Sequence, residues 1–148
     1  METAHYTIDI EAPRQQVWDY MLGKETYPKW STVAWPGSTN EGEWKEGAEM
    51  RFVGGSDGGG TLARFTLIDA PNKLQAEHIA VLQAGGVRDT TSDIAREWIG
   101  AREEYELVST NGKTKVNVSI TVAPAWREEF DNSWPVALQA LKEQVEAS

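Results

Sequence analysis

The sequence predicts an α+β fold: one curved antiparallel sheet of about six or seven strands, covered by a single long C-terminal helix. Three observations carry this. Phe130, Trp134, Leu138, Leu141 and Val145 recur at intervals of four, four, three and four, the spacing of one face of an α-helix. Several earlier runs alternate apolar and polar residues with period two and are separated by short turn-forming segments. Asn111-Gly112 stands between two such runs, the strongest short-range signal for a hairpin. Strands joined by short turns pair antiparallel, and one helix laid across the concave face of their sheet gives a two-layer domain. No repeat, linker or low-complexity tract divides residues 1–148, so a single domain is expected.

The elements follow in order. Tyr6, Ile8 and Ile10 alternate with Thr7, Asp9 and Glu11, a half-buried first strand. Pro13 suits a first helical position, and the pairs Val17/Met21 and Trp18/Leu22 form one apolar face before Gly23. A second short helix is expected from Glu25 towards Trp30, interrupted at Pro28, and then an extended segment at Val33–Trp35. Met50 and Phe52 begin the next strand, Gly54–Gly60 is a hinge-like connection, and Leu62–Ile68 is a strand apolar on both sides. Pro71-Asn72 turns the chain into a strand with Leu74, Ala76 and His78 on one face. From Leu82 to Glu97 the pattern dissolves into Gly, Asp, Thr and Ser, with one helical turn after Asp93; a connection this long is a functional candidate. Ala101, Glu103, Tyr105 and Leu107 share a face of the next strand, and Val116, Val118, Ile120 and Val122 share a face of its hairpin partner. The final amphipathic run, Trp126–Ala147, spans about 33 Å at helical rise. Pro135 lies within it and predicts a kink or an offset start, because proline lacks the N–H and crowds the preceding turn.

Composition narrows the function. The net charge of −9 argues against nucleic acid and anionic membrane surfaces, which recruit Lys and Arg. No apolar run approaches the ~18 residues of a membrane span, so membrane insertion is not expected. The N-terminus METAHYTIDI has no signal-peptide pattern, and the absence of cysteine suits a reducing cytoplasm. Seven tryptophans fit either a ring-rich core or an aromatic-lined cavity.

Few residues carry chemistry. Gly54-Gly55-Ser56-Asp57-Gly58 has the G-x-S-x-G spacing of a hydrolase elbow, but the strand-to-helix context is missing and a hairpin between strands is expected. His5 and His78 are the only histidines, lie far apart and have no ligand-spaced partners, so no metal site and no cofactor are predicted. His78 reads either as a hydrogen-bonded core imidazole or as a ligand contact. Glu103, inward-facing beside Tyr105, would be costly unless paired, with Arg51, Arg64 or His78 as candidate partners across the sheet. It is the leading candidate for a functional polar group. Phe52, Phe65, Tyr105, Phe130, Trp134, Leu138 and Leu141 would line a cavity under the helix, or simply fill a packed core.

The run Ile10-Glu11-Ala12-Pro13 with Val17-Trp18 and then Trp30 resembles the N-terminal signature of the START-like (SRPBCC, Bet v 1-like) superfamily. Gly112 and Thr114, then Trp134-Pro135, Leu138, Leu141-Lys142 and Glu146, resemble the end of its branch related to the Hsp90 ATPase activator C-terminal domain. The resemblance implies a helix-grip fold with a ligand cavity between sheet and helix, but no universal catalytic residue. Three readings follow. The first is a cytoplasmic binding protein for a small hydrophobic or aromatic molecule, monomeric or homodimeric. The second is a cyclase- or aromatase-type enzyme using Glu103, His78 or Tyr105, and the third an Hsp90 co-chaperone-like interaction module.

Overall fold

The computed structural model describes residues 1–54 and 58–148. Among these residues eight strands, β1 (Glu2–Ile10), β2 (Thr39–Gly42), β3 (Glu49–Val53), β4 (Gly60–Asp69), β5 (Lys73–Gln83), β6 (Val87–Asp89), β7 (Arg102–Thr110) and β8 (Lys113–Val122), form one antiparallel sheet. Its order is β1-β8-β7-β5-β4-β3-β2, with β6 added to β5. Helices α1 (Arg14–Leu22) and α2 (Tyr27–Ala34) follow β1, α3 (Asp93–Trp98) precedes β7, and α4 (Arg127–Ala147) closes the chain. This is the α+β helix-grip arrangement. Among the described residues no helix is long and apolar enough to cross a membrane.

The helix stripe lands as its spacing requires. Trp134, Leu138, Leu141 and Val145 are buried with Ala137 and Ala140, against Val116, Val118 and Ile120 of β8 and Leu74, Ala76 and Leu107 of β5 and β7. Polar bonds fix the helix lengthwise: Lys142 Nζ donates to the Asp9 carbonyl at 2.8 Å, the Glu11 N–H to Glu146 Oε2 at 2.8 Å, and Gln144 Nε2 to the Lys29 carbonyl at 2.9 Å. Pro135 neither ends nor starts the helix, which runs unbroken from Arg127; the ring sits on the exposed side. The Asn111-Gly112 turn has φ of 52° and 78°, the doubly left-handed geometry of a type I′ hairpin. Buried Thr114 donates its hydroxyl to the Ala12 carbonyl at 2.8 Å, tying the β7–β8 hairpin to the entry of α1.

Three local expectations are corrected. Helix α2 begins at Tyr27 and carries Pro28 in its first turn, where a missing N–H costs nothing. It then continues through Val33 and Ala34, where an extended segment was expected. The Ser31 and Thr32 hydroxyls accordingly donate back to the Tyr27 and Pro28 carbonyls, and the Trp35 N–H caps the Ser31 carbonyl. The strand lies further on, at Thr39–Gly42, and β6 is an eighth strand; both are short and polar, so neither has an apolar alternation to betray it. The expected connection at Gly54–Gly60 joins β3 and β4, which pair antiparallel up to Val53↔Gly60; Gly55, Ser56 and Asp57 of the G-x-S-x-G run lie outside the described residues.

Candidate functional site

β5 changes partner along its length. Lys73–Glu77 pair with β7 and Val81–Gln83 with β6, so His78 sits where the two part, held by His78 N–H to Ala101 O at 2.8 Å and Gly100 N–H to His78 O at 2.9 Å. On the other side of β5 the register with β4 slips: Ala63 pairs with His78 but Leu62 with Ala80, which leaves Ile79 as the extra residue of a bulge. One added residue inverts the alternation. His78 therefore keeps company with Ala63 and Ala76 over the main core, whereas Ala80 and Leu82 join Leu62 in a separate small cluster. Helix α3 fills the gap where β5 changes partner and carries Trp98 to the His78 ring, with centroids 5.7 Å apart.

Under α4 this end of the sheet forms a cavity of about 240 Å³ that opens to solvent. Its walls are aromatic. Tyr27 and Trp35 come from α2 and the residue after it, Phe52 from β3, Trp98 from α3, Tyr105 from β7, and Phe130 and Trp134 from α4. The rings brace one another: Trp35 meets Trp134 edge-on at 5.1 Å, Tyr105 lies 6.0 Å from Trp134, and Trp98 lies 5.7 Å from Phe130. Such contacts add to the area each ring buries and hold the walls in place.

A polar chain crosses this apolar surface. Glu103 Oε2 accepts the Tyr105 hydroxyl at 2.7 Å, and Glu103 Oε1 lies 2.8 Å from His78 Nε2. His78 is only 3% exposed and the Glu103 side chain 15%. Burial alone would raise the Glu103 pKa, but the His78 charge and the hydrogen bonds from His78 and Tyr105 outweigh it, and the carboxyl is held below its ordinary value. Tyr105 is pushed the other way, first by burial and then by the neighbouring carboxylate, so its phenol stays protonated and donates. Tyr27 is raised by the same two causes, offset in part by a hydrogen bond from Ser38. The arrangement is an acceptor flanked by two donors at the wall of an apolar cavity. A carboxylate on one imidazole nitrogen fixes the tautomer and the orientation of the ring.

Of the residues singled out in the sequence, Phe52, His78, Glu103, Tyr105, Phe130 and Trp134 are brought together around this cavity. Phe65, Leu138 and Leu141 are buried in the packed core and do not line it; Phe65 packs instead against Trp44, its ring tilted, with centroids 5.1 Å apart. Arg64 faces the opposite side of the sheet, half exposed, 3.1 Å from Glu49, and the partner of Glu103 is His78. The cause is register: Arg64 falls between inward Ala63 and Phe65 on β4. Tyr27, Trp35 and Trp98 were not singled out. The tryptophan count and the long connection before β7 were their only traces, since neither gives a periodicity. Among the described residues no group of three or more His, Cys, Asp or Glu side chains is placed to hold a metal.

Comparison with solved structures places the whole chain in one fold. The solution structure of the Aha1 dimer from Colwellia psychrerythraea aligns over 99% of this chain and 97% of its own, with a TM-score of 0.73 and 17% identity. CalU16 from Micromonospora echinospora aligns over 97% of this chain and 73% of its own (TM-score 0.69, 15% identity). An Hsp90 activator from Plasmodium falciparum aligns over 90% and 88% (TM-score 0.62, 19% identity). No match was found among curated proteins. The profile of the "Activator of Hsp90 ATPase homolog 1-like protein" family matches residues 11–146, nearly the full length. With the START-like fold and this match, the chain belongs to the family of Hsp90 ATPase activator homologue 1-like proteins.

Proposed function

We propose that this protein binds a small hydrophobic or aromatic molecule in the cavity between the sheet and α4. The observation that carries the reading is the combination at one site: seven aromatic rings around about 240 Å³, and a buried polar chain, Tyr105–Glu103–His78, on its wall. Apolar walls supply affinity and a few fixed polar groups supply orientation, the usual division in small-molecule sites. The Cys-free sequence suits a reducing setting, and the cytoplasm is the proposed compartment. The test is native mass spectrometry of the protein purified from its own host. A retained small molecule, lost in a Trp134→Ala variant that still folds, is the expected result. Protein that is empty and also fails to take up any member of an aromatic panel would overturn the reading.

A second reading, an interaction module acting on Hsp90, is supported by the family match and by the likeness to the Plasmodium activator. It predicts stimulation of the ATPase of the host's Hsp90, and the absence of stimulation at saturating protein refutes it. Light scattering decides between the monomer and a homodimer such as the Colwellia relative forms.

A further inference from the structure

His78 Nδ1 is the one buried side-chain nitrogen or oxygen of the cavity lining without a hydrogen-bond partner among the described residues. A buried polar atom left unpaired is costly, so a ligand that supplies the missing partner gains affinity. Its chemistry follows from the other side of the ring. Glu103 already receives the Tyr105 hydroxyl and, being ionised, has no proton to give, so His78 Nε2 is the donor of the 2.8 Å bond. In the neutral imidazole Nδ1 is then a bare acceptor; in the imidazolium it is a donor.

Different ligand groups meet these two states differently. An amine N–H satisfies only the neutral ring, and a carbonyl satisfies only the charged one. A carboxylate would stand close to Glu103 and be repelled. A hydroxyl oxygen satisfies both, donating to the lone pair or accepting from the N–H. The surroundings supply the rest of the specification, because the imidazole lies beside Trp98, which in turn packs on Phe130. Shielded from solvent, Nδ1 is reached by displacing a neighbouring ring, and half-buried Trp98 is the one tilted against it.

We propose that the cavity selects a hydroxylated aromatic molecule, its hydroxyl oxygen bonded to His78 Nδ1 and its ring packed among Trp98, Phe130 and Trp134. This rests on the binding function proposed above and names its ligand class. His78 is here a specificity-determining residue, and Glu103 positions it.

The test uses three probes of one ring system, 2-naphthol, 2-methoxynaphthalene and 2-naphthoate, titrated calorimetrically into the full chain. 2-Naphthol is expected to bind about tenfold or more tightly than its methyl ether, the worth of one hydrogen bond to a buried group, and 2-naphthoate more weakly than either. In a His78→Phe/Glu103→Gln variant, which leaves no buried charge behind, the two uncharged probes should bind within about twofold of each other. A nitrogen-15 spectrum of the wild type gives an independent readout, in which the His78 Nδ1 resonance shifts with 2-naphthol and not with the ether. Equal affinities in the wild type, a preference that survives in the folded variant, or an unmoved Nδ1 resonance on naphthol binding each overturn the proposal while the cavity stands. If none of the probes binds, both the cavity reading and this inference fall.

Discussion

Replacing Glu103 by alanine should be among the most damaging substitutions of a partly polar residue in this chain. Two donors lose their acceptor at once: the Tyr105 hydroxyl at 2.7 Å and His78 Nε2 at 2.8 Å, both on nearly buried side chains. Removing one member of a buried, hydrogen-bonded pair costs about 3–5 kcal/mol, and the residual exposure of Glu103 favours the lower half of that range. Taking about 3.5 kcal/mol, the thermal midpoint of a chain this size should fall by roughly 7–14 °C. Glu103→Gln keeps one acceptor oxygen and should lose about half as much. Urea and thermal unfolding followed by circular dichroism measure both. The pair also has a pH signature. The folded carboxyl has a depressed pKa, so its stabilisation is present above the ordinary value of 4.5 and is lost as pH falls through the folded value. The stability difference between wild type and Glu103→Gln should therefore shrink below about pH 4.5, whereas the contributions of other carboxylates cancel in the difference. An alanine variant within about 1 kcal/mol of wild type, or a difference that does not change in acid, would refute the assignment of Glu103 as an ionised, doubly hydrogen-bonded group.

The remaining predictions concern the tyrosines and the long helix. All four tyrosines have raised pKa values, Tyr6 to about 12 through burial and its bond to Asp131, so the folded protein should show little phenolate absorbance at pH 10, where an ordinary tyrosine is half ionised. Because these folded pKa values lie above the unfolded value of 10.0, the associated stability is complete below pH 10 and is lost above it; a native titration curve centred near 10 would contradict this. Leu141→Ala, at a fully buried position, should cost about 2–5 kcal/mol, and Val136→Ala, on the exposed side of the same helix, within about 0.5 kcal/mol of nothing, as measured by chemical denaturation. Pro135→Ala should stabilise by about 1–2 kcal/mol, since the helix regains its hydrogen bond at an exposed site while the unfolded chain regains some freedom; a lower unfolding midpoint would show that the ring is needed.

Some of this molecule is legible along the chain. The α4 stripe, the β7–β8 hairpin at Asn111-Gly112 and the inward valines of β8 follow from local periodicity and turn chemistry, which are properties of neighbouring residues. That Glu103 needed a partner was also readable, because an inward carboxylate on an apolar strand face is costly alone. Which partner it took was not. Arg64 on β4 and His78 on β5 were both candidates, and pairing decided between them: Ala63 and Phe65 face inward on β4 and leave Arg64 outward, while the Ala76↔Glu103 register sets His78 beside Glu103. The aromatic wall shows the same limit. Phe65, Leu138 and Leu141 have the periodicity of cavity residues but fill the core, while Tyr27, Trp35 and Trp98 reach the cavity from a helix end and a long connection. Burial on a face is set by spacing along one element; which buried side chains border empty space is set by how several elements fail to fill it together, and that is decided only when they pack.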